Sequence, residues 1–527
     1  MNQGTKSKKI VYLWMGIFVY TLIFTTLQIL KYKSFFAFSG GDMADYNQAA
    51  INTAKGIPFY CSAGNDVFPN NHFHLVYLLI ALLYKIFPHI YTLFFSLSFA
   101  LAFGALGIYL VTRRIFTDYN IGLYFAYAFL LLPSLHFINF VDFRPSMFSI
   151  PLLIFVFYFY LEEKFIPFFT FSILVLSCKE DLAFIIIMFG IFSIFQKRDL
   201  KWIISPIMMG ILWFWLTVKL ILPFVGYKTY ESLEAYIGGK NYSFLQMITT
   251  IFCHPFYTLK IMFSHKHISY LLKIFRPAIY FLAIFSPGIL FLSLPTFMEI
   301  LLRKEGSSSL HVGSASYICP IIAFSFLATI YTYKKIFSKI DSINCSIYTK
   351  GIFKKILMLV LIIWTFIGNF KENMIIEGNY REEGVVVDSK FLNARNIFNP
   401  VFYIMDEEDK TGWRLIRKIP PDASVASSRD LLPALSNRTK LYRIGISEFF
   451  SRNTNPDYII LRKYNVFYGP CDEETDNIKA LEQARKLINI GKYDIVEETD
   501  SFLLLKRRDE NENGNTFKKA SRSYPDF

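Results

Sequence analysis

The six cysteines, Cys61, Cys178, Cys253, Cys319, Cys345 and Cys471, include no CxxC pair among 527 residues. That spacing excludes a zinc knuckle and a disulfide framework. The short motifs of soluble enzymes are missing too. There is no P-loop, no GxGxxG following a strand, no HExxH and no GxSxG. KEGSSS at 304–309 is serine-rich but lacks a strand–loop–helix setting. No internal repeat and no row of charges through the apolar segments is visible, so the usual pointers to a secondary transporter are lacking. Acidic residues are scarce where apolar ones are dense. Residues 1–370 carry 30 Lys/Arg against 15 Asp/Glu, leaving 25 against 26 for 371–527.

What the chain does have is hydrophobic length. It is 54% hydrophobic and 18% aromatic, with 57 Phe, above the roughly 45–50% apolar content of soluble chains. Several runs approach the ~20 residues that cross a bilayer. The net charge of +14 belongs to the apolar part, as expected for cytoplasmic loops and anionic headgroups. No basic stripe marks a soluble domain, which argues against a nucleic-acid partner.

Lys6, Lys8 and Lys9 place the N-terminus in the cytoplasm by the positive-inside rule. The run 10–30 is then an uncleaved first helix delivering an outer loop, 31–89. Within it, 72–87 is short and reads as an interfacial helix. Further spans follow at 90–111, 121–140, 147–161, 165–178, 182–196 and 201–223, with an outer loop at 224–275. Residues 276–302, interrupted by Pro287 and Pro295, are one long helix or two short passes; only the latter keeps His311 outside. Spans at 317–332 and 355–370 close a bundle of about eleven transmembrane helices. Near residue 371 the composition changes. SVASSRDLLPALSN with TKLYRIG, NPDYIILRK, NIKALEQARKLINIG and YDIVEETDSFLLLKR predict a small extracytoplasmic α/β domain over 371–507, after a poorly patterned stretch. Gly491 reads as a helix C-cap. Residues 508–527 read as a disordered tail.

This topology gathers Asp42 and Asp45, His72 and His74, Asp142 and Arg144, and Lys179, Glu180 and Asp181 on one side of the membrane. Charges near a bilayer are costly and usually face a wet cavity. Each has a plainer reading. Asp42 could cap the helix that GGDMADYNQAA starts. His72 and His74 would share a strand face and could bind a metal, but diverge on a helix as interfacial histidines. Asp142 and Arg144 could be a local ion pair, and Lys179–Asp181 an interhelical turn.

GGDMADYNQAAINTAKG, NNHFHLVYLLIALLYKIFP, VDFRPSMFSIPLL and LSCKEDLAF resemble, in this order, the bacterial membrane family called domain of unknown function 2079. That family is similar to the GT-C glycosyltransferases. The resemblance covers residues 35–200, with weaker echoes at 311–320 and 419–442. Asp42 and Gln48 match the family's D-L-G-x-x-x-Q segment, and His72 and Phe73 its H-F. Asp142, Phe143 and Pro145 match D-F-H-P, and Lys179, Glu180 and Asp181 match K-E-D. Arg144 stands where the family usually has histidine, Leu75 where proline is common, and Asn47 where a second aspartate is frequent.

The resemblance implies a GT-C-like fold and a glycosyltransferase moving a hexosyl or pentosyl group from a polyprenyl-phosphate-sugar donor to a glycan, lipid or protein acceptor. It implies the outer face of the bacterial cytoplasmic membrane, with or without a divalent metal. Asp42 would be the base, with Asp45 beside it. Gln48, His72, His74, Asp142, Arg144, Lys179, Glu180, Asp181 and His311 would hold substrate, Arg144 and Lys179 meeting the phosphate. A transporter or flippase, or a non-catalytic scaffold, is the alternative.

Overall fold

The computed structural model describes residues 3–36, 40–62, 66–67, 72–224, 244–275, 278–303, 317–372, 397–444, 455–464 and 477–508. His311 lies outside them, as do 225–243 of the second outer loop, most of 371–396 and the tail from 509.

The first helix, α1 (Gln3–Lys33), is followed by α2 (Gly40–Ala54), which carries Asp42 in its first turn. A carboxylate there is favoured by the helix dipole. A two-residue hairpin, β1 (Tyr60–Cys61) with β2 (Asp66–Val67), leads to α3 (Tyr77–Tyr84). At eight residues, about 12 Å long, α3 is too short to cross a bilayer. Then come α4 (Tyr91–Phe116), α5 (Tyr119–Leu130), α6 (Pro133–Phe140), α7 (Ser149–Leu161), α8 (Phe165–Leu176), α9 (Ala183–Phe195) and α10 (Leu200–Trp215).

Among the described residues, four helical segments are long and apolar enough to span: Lys8–Lys33, Tyr91–Phe116, Leu200–Phe224 and Ile347–Phe370. A fifth arises if the bent pair α5–α6 is one span. Pro145–Leu161, Phe165–Leu176 and Pro287–Leu301 are shorter apolar helices. The expected count of about eleven is therefore not reached by length and composition. Proline explains part of the shortfall. The run 121–140 bends by 41° between α5 and α6, because Pro133 opens α6 and Leu132 before it is extended, φ −67° and ψ 123°. Proline clashes with a helical residue before it. In 276–302, Pro287 starts a new helix after Ser286, and Pro295 another near Leu294.

The buried centre is α4, two-thirds enclosed by α1, α5 and α7. Leu97, Leu101, Phe129, Ile150 and Phe189 are among its fully buried side chains. By contrast, Leu200–Phe224 and Ile347–Phe370 leave most of their surface outward. Exposed Ile204, Trp215, Phe353 and Trp364 suit contact with lipid.

The C-terminal part is a five-stranded sheet in the order β4-β3-β5-β7-β6. It contains β3 (Val425–Ser427), β4 (Leu441–Arg443), β5 (Tyr458–Arg462), β6 (Tyr493–Glu498) and β7 (Phe502–Arg507). β3 runs parallel to β4 and β5, whereas β7 is antiparallel to β5 and β6. The helix Asn477–Asn489 ends before Gly491, whose φ of +74° suits glycine. The stretch expected to be poorly patterned contains the helix Glu407–Ile416, opened by a capping box between Asp406 and Asp409. It docks this part on α1: Trp413 stacks on Phe35 at 5.0 Å and donates to the Lys33 carbonyl at 2.8 Å.

Candidate functional site

Asp42, Asp45 and Tyr46 share one face of α2, since residues three and four apart are helix neighbours. Around that face the chain returns three times through the ends of apolar helices. Asp142 and Arg144 follow α6, His72 and His74 precede α3, and Lys179–Asp181 lie between α8 and α9.

Arg144 Nη2 donates to Asp42 Oδ2 at 2.8 Å, both side chains being about one-fifth exposed (24% and 18%). Asp142 is not Arg144's partner. It accepts from Lys31 Nζ of α1 at 3.0 Å, and both are buried. Lys31 also donates to the Phe140 carbonyl, so this pair ties α1 to the end of α6. The two residues read as a possible local ion pair thus serve different walls.

The Tyr46 ring lies 5.9 Å from the His74 ring and 6.1 Å from that of Phe143, joining α2 to both loops. His74 Nδ1 meets the Cys178 carbonyl at 2.6 Å. A carbonyl only accepts, so Nδ1 carries the proton and Nε2 is the bare nitrogen. Nε2 is buried with no partner among the described residues. Burial, and His72 next to it, push this imidazole down to about 3, so it is neutral.

His72 and His74 lie in extended chain, not in a helix. Their ring centroids are 5.9 Å apart. His72 Nδ1 meets Glu180 Oε1 at 2.6 Å, and the Phe73 N–H donates to Oε2 at 3.3 Å. Burial would raise the Glu180 carboxyl, but His72, with Lys179 behind it, holds it down at about 2. Lys179 Nζ pairs with Asp181 Oδ2 at 2.5 Å. Burial opposes its charge, yet Asp181 and Glu299 keep the ammonium well above the usual lysine range. Asp181, by burial, is pushed up despite Lys179, and its Oδ1 has no partner among the described residues. Lys179 and Arg303 both stand against the Tyr317 ring, at 4.9 and 4.5 Å. Lys179 and Arg144 come from different loops and each is paired with its own carboxylate, Asp181 and Asp42.

Gln48 faces elsewhere. Its Nε2 donates to Ser62 Oγ and to the carbonyls of Arg438 and Thr439 at 2.8–3.0 Å, binding α2 to the C-terminal part. Asn47 does the same toward Ser436 Oγ at 2.8 Å. The sequence reading did not include Lys31, Tyr46, Glu299, Arg303, Tyr317 or Arg443. Arg443 lies 3.5 Å from Asp45.

Among the described residues, no three His, Cys, Asp or Glu side chains are grouped to hold a metal ion. The arrangement offers a partly exposed carboxylate, two cations suited to an anion, and a neutral imidazole with a bare nitrogen.

The fold is similar to that of ArnT from Cupriavidus metallidurans bound to undecaprenyl phosphate, with a TM-score of 0.53 and 10% identity over 97% of this chain and 99% of that one. The archaeal oligosaccharyltransferase AglB from Archaeoglobus fulgidus, in complex with an inhibitory peptide and a dolichol-phosphate, gives 0.46 and 11% identity, over 86% of this chain and 69% of that one. No curated protein matches the chain. The profile of the family described as predicted membrane protein (DUF2079) matches residues 36–504. Across nearly its whole length, the chain therefore belongs to the DUF2079 family of predicted membrane proteins.

Proposed function

We propose that the protein is a membrane glycosyltransferase that moves a hexosyl or pentosyl group from a polyprenyl-phosphate donor to an acceptor hydroxyl. The reaction takes place on the extracytoplasmic face of the bacterial cytoplasmic membrane. The acceptor is a glycan, a lipid or a protein. In this reading the short apolar helices complete about eleven passes, with the N-terminus in the cytoplasm. The polyprenyl-phosphate partner is supported by fold similarity to a protein whose structure holds undecaprenyl phosphate.

The observation that carries the reading is the Asp42–Arg144 pair at 2.8 Å, one short segment beyond the end of α1. A lipid-linked phosphate keeps its tail in the bilayer and its headgroup at this level. Its phosphate attracts Arg144, whose planar fork suits phosphate. Drawing Arg144 toward the donor leaves the Asp42 carboxylate available to the acceptor. Asp42 takes the hydroxyl proton as the acceptor oxygen bonds to the anomeric carbon. The bond from that carbon to the phosphate oxygen breaks, and the polyprenyl phosphate leaves with the electron pair. Arg144 and Lys179 neutralise the departing charge. General-base assistance of this kind is worth about 10²–10⁴-fold.

The test is mass-spectrometric comparison of envelope glycolipids and glycans from a deletion strain complemented with the native gene or with Asp42→Asn. The reading expects a sugar modification that disappears on deletion, returns with the native gene and stays absent with Asp42→Asn at equal expression. A modification restored equally by both contradicts it.

A further inference from the structure

The first turn of α2 is closed by a residue 398 positions away in the chain. Arg443, the last residue of β4, places Nη2 3.5 Å from Asp45 Oδ2. Its guanidinium occupies the space a side chain on Gly41 would take, since a Cβ built there collides with it. Asp45 is 2% exposed, and its Oδ1 has no partner among the described residues. β4 is held in place by several hydrogen bonds. Gln48 and Asn47 grip residues 436–439. The Leu441 N–H donates to Ser62 Oγ at 2.8 Å, and that hydroxyl meets the Leu441 carbonyl at 2.9 Å. The register of β4 against α2 is thus fixed two residues before Arg443.

We propose that Arg443 is a positioning residue of the membrane site, supplied by the C-terminal sheet. It holds Asp45 against the first turn of α2, so the site is complete only while the sheet is docked on that helix. The catalytic consequence rests on the sugar-transfer reading, whereas the hold on Asp45 does not.

Among the described residues, four groups face Asp45: Asp42 on its own helix, Tyr77 on α3, Arg443 on β4 and Arg429 from the turn after β3. Burial pushes its carboxyl up to about 7, and Arg443 is the strongest pull in the other direction. An opposite charge at this range is worth roughly 1–3 pKa units. Without Arg443, Asp45 is neutral at pH 7. An ionised Asp45 keeps Asp42 basic by like-charge repulsion, and that support goes with it.

The experiment compares the full-length protein in lipid nanodiscs with Arg443→Gln, Arg443→Lys and Gly41→Ala. Arg485→Gln, which breaks an exposed pair with Glu498, is the control. Two profiles are recorded against pH: sugar transfer and the thermal midpoint. Arg443→Gln is expected to move the acid limb of transfer, and the pH at which the midpoint stops falling, upward by about one unit or more. Transfer at pH 7 falls about ten-fold. Arg443→Lys shifts less, Gly41→Ala shifts in the same direction by displacing the guanidinium, and Arg485→Gln shifts nothing. Should Arg443→Gln fail to fold, the other two decide. Thermal profiles unmoved by every Arg443 and Gly41 variant overturn the proposal. A shifted thermal profile in a protein that transfers no sugar upholds the hold on Asp45 and removes the sugar-transfer reading instead.

Discussion

Asp42 and Arg144 lie 102 residues apart in the chain and meet at 2.8 Å, joining the first turn of α2 to the loop after α6. The pair is partly exposed, so it can exchange partners. In the proposed reaction a donor phosphate would compete for Arg144 and leave Asp42 open to an acceptor hydroxyl.

If Arg144 carries the phosphate, Arg144→Gln lowers kcat/KM for a polyprenyl-phosphate sugar by about 10²-fold, the usual cost of losing one stabilising donor. Arg144→Lys keeps the charge without the planar fork and falls between. Steady-state kinetics on reconstituted protein measures both. Equal turnover by Arg144→Gln and the native protein would remove Arg144 from the phosphate site.

Asp45 makes stability depend on pH in an uncommon direction. Its folded carboxyl titrates at about 7, above the unfolded value of about 3.9. Between those values the native state holds a proton that the unfolded chain has released, so stability falls as pH rises. The slope is at most on the order of 1 kcal/mol per pH unit. Thermal unfolding in detergent from pH 4 to 8 should show this fall in the native protein. Asp45→Asn should flatten it, and a fall of equal size in the variant contradicts the assignment.

Glu180 acts oppositely. Its carboxyl is held at about 2, below the unfolded value of about 4.3. The stability it contributes is present above that unfolded value and is lost as pH falls toward 2. Glu180→Gln should therefore be less stable than the native protein at pH 7, with the difference shrinking toward pH 3. A difference constant with pH would show that His72 does not hold Glu180 ionised.

How much of this was readable beforehand depends on range. The apolar length of α1 and the GGDMAD helix start were visible because both are local patterns. Pro287 and Pro295 were visible as interruptions, whereas Pro133 was passed over within the run 121–140, because apolar periodicity does not say whether a proline kinks a span or ends it. The helix Glu407–Ile416 had a readable sign: an acid at Asp406 and another at Asp409 form its capping box. Lys31 was not singled out, although it sits in the last turn of α1. Its pairing with Asp142, across 111 residues, was not readable. Arg443 had no local signal at all, because only the docking of β4 on α2 brings it to Asp45.

The Lys31–Asp142 pair gives a prediction about folding. Both side chains are buried, and breaking a buried ion pair by removing one partner costs about 3–5 kcal/mol. Lys31→Met should lower the thermal midpoint sharply, and adding Asp142→Leu should recover part of the loss. A double variant no better than the single one would mean that the pair's role is packing rather than charge.

The central claim is that Asp42 and Arg144 transfer a sugar from a lipid-linked phosphate. Its most direct test is release of free polyprenyl phosphate from radiolabelled polyprenyl-phosphate sugars by the purified protein in nanodiscs, with membrane extract supplying acceptors. The account predicts label passing to an acceptor, with stoichiometric release of polyprenyl phosphate. Asp42→Asn should reduce the rate by 10²-fold or more. Transfer by Asp42→Asn at the native rate would contradict it.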